Sequence, residues 1–256
     1  MYEEQQDQGE RIAALALDLG RQLLVCGADV NRAEDTAKRI CRSYGAQVTE
    51  VFCIGSLLMA TVEWINGTRT TQIRNIQRVS YDLARLEELN TLSRDLCEKT
   101  ISPETARNRL TALRTPSRQK PLVTHLAGIL AVVAYTLFFN GTLADAVAAA
   151  LCGVLVTALD RRMPGRSSMM MRTVLSAIGV GVITGLCHLV YPALHTDHVM
   201  IGAIMLMVPG LMIASSLRDL LNGDIIAGSL QLIQAILTAG ALALGLAWAS
   251  SWMVTV

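Results

Sequence analysis

Lysine and glutamate are missing from the second half of the chain: neither occurs after Lys120, although glutamate is frequent before it and lysine occurs at Lys38 and Lys99. A second soluble domain would carry such charges on its surface, so their absence excludes one. Long apolar runs follow one another instead, and 52% of all residues are hydrophobic. The sequence therefore predicts a soluble domain in residues 1–118 and a membrane domain in residues 119–256.

Other absences argue against several classes of function. The six cysteines form no Cys-x-x-Cys pair and show no His-rich spacing, so we expect free thiols and no metal site. There is no Gly-rich phosphate loop or other ATP-binding motif, and no cofactor is expected. The net charge of +1 indicates no nucleic-acid partner. The N-terminus is polar and acidic with no signal peptide, so we expect a cytoplasmic first domain.

The first 118 residues have the helix and strand signals of an α+β domain. Apolar residues predict a buried helix over Arg11–Val25, and Asp29 is a good N-cap for a second helix. The remaining predicted elements are strands at 47–53, 57–65 and 68–76 and helices at 80–99 and 103–113. Asp29, Arg32 and Glu34 form a small charged cluster. This cluster is either a salt-bridged helix start or a docking contact beneath the membrane domain.

Five apolar segments of the membrane domain come close to the length of about 20 residues that crosses a bilayer. They are 121–139, 143–159, 173–191, 199–216 and 225–253. Arginines follow the second segment and the fourth, whereas the other two turns carry no lysine or arginine. Basic loops stay in the cytoplasm. We therefore predict an α-helical membrane protein with five transmembrane helices, preceded by a cytoplasmic α+β domain, in the inner or plasma membrane and with an external C-terminus.

The fourth segment contains Pro209-Gly210, which should kink or break its helix because proline lacks an N–H. A polar stretch follows it. This stretch is either an ordinary cytoplasmic loop or a broken-helix site, where freed backbone groups and helix ends meet a polar solute. The candidates for substrate binding and coupling are Pro209, Gly210, Ser215, Arg218, Asp219, Asp224 and, in the fifth segment, Gln231.

The charged candidates have different expected roles. Arg218 could bind a substrate carboxylate, whereas Asp219 and Asp224 could titrate or contact a substrate amine. Because an unpaired charge in such a site is costly, we expect the three to pair with each other when no substrate is bound. Asp145, at the start of the second segment, is a further candidate, either as a helix cap or at an outer gate. His125 and His188 could relay protons or serve packing alone.

These residues together resemble the larger subunit of the split form of the threonine/serine exporter family, some of whose two-component members export dicarboxylates such as succinate. The resemblance covers nearly the whole chain. In the soluble part it rests on Leu23-Leu24, Gly27-Ala28-Asp29, Arg32, Glu34, Tyr81-Asp82-Leu83 and Leu86. In the membrane part it rests on Phe139-Asn140-Gly141, Asp145, Gly153, Pro209-Gly210, Arg218-Asp219, Gly223-Asp224 and Gly228.

The resemblance implies one subunit of a secondary exporter for small polar metabolites, either threonine/serine-type amino acids or C4-dicarboxylates. Single-chain members of the family carry a second multi-helix half, so a small multi-spanning partner subunit in a hetero-oligomer is expected. Proton coupling is expected because no ATP-binding motif is present. Two other classes compete. An intramembrane enzyme would need a catalytic set at helical spacing, which is absent from the spans. A membrane-anchored regulatory or sensory protein would need no broken helix with polar flanks.

Overall fold

The computed structural model describes residues 2–54, 56–76, 81–114, 121–163 and 169–255, and the chain forms two compact units. The first unit comprises Met1–Ser117 and Ala214–Leu232, and the second comprises Arg118–Ile213 and Ile233–Val256. The predicted domain boundary at residue 118 lies outside the described residues. Residues 214–232 pack with the N-terminal part of the chain, although their hydropathy placed them in the membrane domain.

The first unit contains a three-stranded antiparallel sheet in the order β1-β2-β3. Its elements before residue 118 are α1 (Tyr2–Val25), α2 (Val30–Ser43), β1 (Ala46–Ile54), β2 (Leu57–Trp64), β3 (Arg69–Asn75), α3 (Leu83–Cys97) and α4 (Pro103–Arg114). The predicted cap of α2 is confirmed, since the Asp29 carboxylate accepts the backbone N–H of Arg32 at 2.8 Å. Helix α1 begins at Tyr2 rather than Arg11 because residues 2–10 are rich in Glu and Gln, which are good helix formers.

Leucines of α1 form the centre of the first unit. Leu17, Leu19 and Leu23 have no exposed surface, and they belong to one cluster with Leu58 of β2 and Leu89 of α3. Fully burying a leucine side chain stabilises a fold by about 1.5–3 kcal/mol. This core holds the start of α2 and one face of the sheet in fixed positions.

The described part of the second unit is helical. Its elements are α5 (Pro121–Phe138), α6 (Leu143–Arg162), α7 (Met169–Val190) and α8 (Thr196–Met207), while α9 (Gly210–Leu221) and α10 (Ile225–Thr255) are divided between the two units. The buried cluster of this unit contains Ala149 and Cys152 of α6, Val180 of α7 and Val199 of α8. Small side chains at such positions let apolar helices approach closely.

Three of the described helices are long and apolar enough to cross a membrane, or four if one bent pair counts as a single span. The three are Leu143–Arg162, Met170–Val190 and Ile225–Ser251, and the bent pair is Thr196–Met207 with Gly210–Leu221. The apolar stretch Leu122–Phe138 in α5 is shorter. The chain is therefore a mostly helical protein with three to four candidate spans and a small sheet. The count of five spans is not confirmed.

The fourth predicted segment is broken at Pro209. Helix α8 ends at Met207, α9 begins at Gly210, and the two helices meet at an angle of 47°. Val208 has the extended backbone (φ −61°, ψ 130°) that the residue before a proline favours. The break that Pro209-Gly210 predicts is therefore present, and it starts a new helix directly before the polar stretch.

Candidate functional site

A helical hairpin made by the end of α9 and the start of α10 is part of the first unit. Ala227 of α10 packs against the core of this unit. The two helices touch at Gly228, where a Cβ atom would lie 2.9 Å from the backbone oxygen of Ser216 and from the backbone nitrogen of Leu220. Any larger residue would separate the helices. The hairpin therefore brings the polar stretch after the break against residues from the N-terminal part.

Three polar side chains meet at this hairpin. The Tyr81 and Ser215 hydroxyls lie 2.9 Å apart, and the Gln231 side-chain amide donates to Ser215 at 2.7 Å and to Tyr81 at 3.1 Å. Ser215 and Gln231 were predicted as site residues, and the structure brings them together. Hydroxyl and amide groups both donate and accept, so this triad can exchange partners with a polar solute.

Asp219 is the most buried carboxylate of the hairpin, with only 4% of its surface exposed. The backbone N–H of Val30, the first residue of α2, donates to it. A helix N-terminus favours an anion, so this position suits the carboxylate. However, Asp29 and Asp224 bring negative charge close to it. The Asp219 Oδ1 atom has no hydrogen-bond partner among the described residues.

Glu34 and Asp224 add two more carboxylates to this group. Glu34 Oε1 accepts the Cys53 backbone N–H at 2.8 Å, and Oε2 lies 3.5 Å from Lys38 Nζ. Asp224 Oδ2 is buried and has no partner in the described part of the chain. Burial raises the pKa of Glu34, with a smaller rise from the Asp224 charge, while the Cys53 N–H and Lys38 act in the opposite direction. Burial, followed by the neighbouring carboxylates, raises the pKa of the Cys53 thiol to about 12.

The expected pairing of Arg218 with Asp219 and Asp224 is wrong. Arg218 is exposed, and within the described residues no direct ion pair joins it to either carboxylate, although its charge still acts on Asp219. Adjacent residues of a helix do not face the same side. Asp219 is turned toward α2, so Arg218 is turned away from it. Asp219, Asp224 and Glu34 therefore form a group of three carboxylates with two cations nearby: Lys38 contacts Glu34, and the Arg218 charge acts on Asp219 without a direct ion pair. Negative charge stays in excess.

The pKa of Glu34 predicts the pH dependence of stability. A carboxyl group whose folded pKa lies above its ordinary value of 4.5 contributes stability that is complete below that value and is lost as pH rises through the folded pKa. Glu34→Gln keeps an oxygen that can accept the Cys53 N–H but does not ionise. We therefore expect wild type to lose thermal stability relative to Glu34→Gln as pH rises from 4.5. Parallel unfolding curves of the two purified proteins at every pH would contradict this account.

The other predicted docking residues lie at the start of α2. The Asp29 side chain caps the helix, and Arg32 lines an open cleft of about 400 Å³ together with Asp35, Arg39 and Arg94. No ion pair joins Arg32 to Glu34 in the part of the chain that the structure describes; Glu34 pairs with Lys38 instead. Within this cluster Asp29 and Glu34 lie near the hairpin carboxylates, whereas Arg32 lies at the cleft, which Asp29 also lines.

Asp145 belongs to the second unit, where it has no exposed surface. It forms a capping box with Thr142, whose backbone N–H donates to the carboxylate at 2.7 Å. It also accepts the backbone N–H of His195 at 2.9 Å. The helix-cap interpretation of Asp145 therefore holds, and a role at an outer gate stays a prediction. His188 Nδ1 lies 3.2 Å from the backbone oxygen of Leu194.

Two groups of residues were not predicted as site residues. The sequence marks Tyr81 only as part of a family motif, because its partners are 134 and 150 positions away in sequence. His195 and His198 lie at a turn and a helix start, where no periodic pattern marks them. Their spacing of three residues at the start of a helix was the signal that could have identified them. With Asp145 they form a group whose potential metal ligands lie within 4.8 Å of one another.

The chain matches a known family of proteins. The family model of threonine/serine exporters, ThrE, matches residues 14–253. This range includes both the α2 start and the hairpin of α9 and α10. No match was found among curated proteins or among solved structures.

Proposed function

Because the chain belongs to the threonine/serine exporter family, we propose that it is the larger subunit of a secondary exporter that moves small polar metabolites out of the cell. The family is one of transporters, and the chain is a multi-pass membrane protein. The observation that carries the proposal is the buried Asp219. This residue follows the broken helix, yet it binds the start of α2 in the first unit.

The proposed substrates are hydroxyl amino acids such as threonine and serine. A zwitterion presents an ammonium group, which the excess carboxylates of Asp219, Asp224 and Glu34 would attract. Its hydroxyl group could exchange hydrogen bonds with the triad of Tyr81, Ser215 and Gln231. A dicarboxylate would meet three negative charges at the same place. Dicarboxylate export is therefore the less favoured alternative.

Proton coupling is proposed to occur at Asp219 and Asp224. Burial and neighbouring negative charge are the two conditions under which a carboxyl group takes up a proton near neutral pH. Both conditions hold for Asp219. In the proposed cycle, protonation weakens the bond of Asp219 to the α2 start and an ammonium group competes with the proton. Transport is then driven by the proton gradient.

A small multi-spanning partner subunit is part of the proposal. Substrate sites of many secondary transporters lie between two structural repeats, and broken helices of both repeats contribute to them. This chain supplies one broken pair, α8 and α9. The partner would supply the matching half in a hetero-oligomer. The purified single chain in liposomes should then give no flux of its own.

The experiment that tests the proposal is an export assay in intact cells. Cells with and without the chain are fed a threonine-containing dipeptide, and internal and external threonine are measured over time. Threonine should leave faster from cells that contain the chain. If threonine and serine are exported at equal rates with and without the chain, and the chain increases succinate export, the substrates are dicarboxylates and not amino acids.

We also propose five spans with a cytoplasmic N-terminal domain in the inner membrane, and labelling tests this topology. Ala193 lies in the exposed turn between α7 and α8, and Asn222 lies in the exposed turn between α9 and α10. In a background without other cysteines, Ala193→Cys should react with an impermeant maleimide from outside. Asn222→Cys should react only after permeabilisation. The reverse pattern would contradict the proposed orientation, and labelling of both from outside would contradict the span count.

A membrane-anchored sensor is the second candidate function. The observation that favours it is the open polar cleft beside α2, which is lined by Arg32, Arg39, Arg94 and two aspartates. Such a cleft could bind a small effector. A sensor of this kind has no transport of its own, so threonine export would then be equal in cells with and without the chain. If the chain is the exporter and the α2 start takes part in transport, Arg32→Ala should lower export per folded molecule.

A further inference from the structure

A buried carboxylate in the second unit has two histidines beside it. Asp145 lies in the first turn of α6, His195 directly precedes α8, and His198 lies in the first turn of α8. Asp145 Oδ2 is 3.1 Å from His195 Nδ1, and the rings of His195 and His198 are stacked at 5.2 Å between centroids. One ligand atom from each of the three residues lies within 4.8 Å of the others.

The charge of Asp145 has no permanent partner. The residue is fully buried, and in the described part of the chain no lysine or arginine contacts it. Its hydrogen-bond partners are Thr142 and His195, and neither carries a fixed positive charge. Removing an unpaired carboxylate from water is costly, and a buried charge normally has a cation beside it. The hydrogen bonds and the N-terminus of α6 stabilise this charge in part, and a cation beside the carboxylate would stabilise it further.

The histidines indicate which cation fits. The Nδ1 atom of His198 is buried and has no hydrogen-bond partner among the residues described. Buried polar nitrogens almost always have a hydrogen-bond partner or a bound metal ion, so we expect a ligand at this atom. Asp145 Oδ1 receives a single donor, the His195 N–H, and keeps a free lone pair. Two imidazoles and one carboxylate are a ligand set for zinc and similar transition metals, whereas calcium and magnesium prefer oxygen ligands alone.

We propose that Asp145, His195 and His198 bind one divalent transition-metal ion of the zinc class. Three protein ligands leave a fourth position for water, as in open zinc sites. Because 52% of the His195 side chain is exposed, the ion can enter from solvent. The bound ion joins the start of α6 to the start of α8, and it supplies the positive charge that Asp145 lacks. Metal binding at this site does not require that the chain transport amino acids.

Cobalt binding tests the proposal, because Co²⁺ at an open His/carboxylate site has intense visible absorption. The full chain is purified in detergent, freed of any affinity tag, stripped with EDTA and titrated with Co²⁺. Wild type should bind one Co²⁺ that Zn²⁺ displaces, and Zn²⁺ should raise its Tm. His195→Gln and His198→Gln should each weaken binding by at least about tenfold, since even losing an outer-shell partner costs 10- to 100-fold. His125→Gln is the matched control and should bind as wild type does.

The Co²⁺ titration of the wild-type protein tests the proposed metal site even if a variant fails to fold. Absence of the visible band and of a Zn²⁺-dependent rise in Tm would overturn the proposal. Undiminished binding by folded His195→Gln and His198→Gln would overturn it as well. So would loss of binding in His125→Gln, because the ion would then be held elsewhere.

Discussion

Asp219→Asn should reduce threonine export to the level of cells without the protein, while the variant still inserts in the membrane. Asparagine has nearly the same shape, and its side-chain oxygen can still accept the Val30 N–H. It cannot take up a proton or carry negative charge. If Asp219 couples transport to the proton gradient, the substitution removes coupling and keeps the fold. The measurement is the threonine efflux of dipeptide-fed cells, normalised to the amount of membrane-inserted protein.

A matched substitution separates coupling from general charge effects. Glu88→Gln also removes one carboxylate from the first unit, but Glu88 is exposed on α3. Export by Glu88→Gln should equal that of wild type. Asp224→Asn should resemble Asp219→Asn, because its Oδ2 atom is also buried without a partner among the described residues. Full export by both aspartate variants would show that the hairpin is only a cytoplasmic connection, and Asp145 would become the next candidate.

Gly27→Ala should destabilise the first unit strongly and lower export per folded molecule. Gly27 has a φ of +90°, and an added Cβ atom would lie 2.6 Å from Cδ1 of Tyr81. The backbone strain and the clash each cost about 1–3 kcal/mol. Tyr81 can avoid the clash only by moving away, which would break its contacts with Ser215 and Gln231. Thermal unfolding of the purified protein and the export assay measure the two effects.

Gly45→Ala is the control for backbone strain. Gly45 has a nearly equal φ of +94° in the same unit, but nothing lies within 4 Å of the Cβ position. Its loss of stability should therefore be smaller, and its export per folded molecule should be unchanged. Tyr81→Phe should reproduce the export defect of Gly27→Ala without the clash. Equal losses for the two glycine variants, with normal export by Tyr81→Phe, would show that the Tyr81 position does not matter for transport.

Local signals in the sequence predicted much of the fold. The Asp29 cap, the strands of the sheet and the break at Pro209 depend on neighbouring residues and on hydropathy, and the structure has all three. The packing of residues 214–232 could not be predicted in this way. Helix α10 is mostly apolar, so hydropathy cannot distinguish Ala227, which packs in the first unit, from apolar residues of the second unit.

The candidate site, like the fold, could be predicted only where local features of the sequence mark it. Polar residues beside or within apolar runs are unusual, and this feature identifies Ser215, Asp219, Asp224 and Gln231 in the sequence. Their partners from the N-terminal part could be found only from long-range contacts, of which the pair of Tyr81 and Ser215 is one. The wrong pairing of Arg218 with Asp219 came from sequence adjacency, which in a helix separates side chains instead of joining them.

Threonine uptake into everted membrane vesicles tests the central claim most directly. Such vesicles keep any native partner subunit, and their interior is acidified by respiration, so export in the cell becomes uptake in the assay. Vesicles that contain the wild-type chain should accumulate labelled threonine, a protonophore should abolish the accumulation, and Asp219→Asn vesicles should show none. Uptake no greater than in vesicles without the chain, or uptake unaffected by both the protonophore and Asp219→Asn, would contradict a proton-coupled exporter that works through this carboxylate.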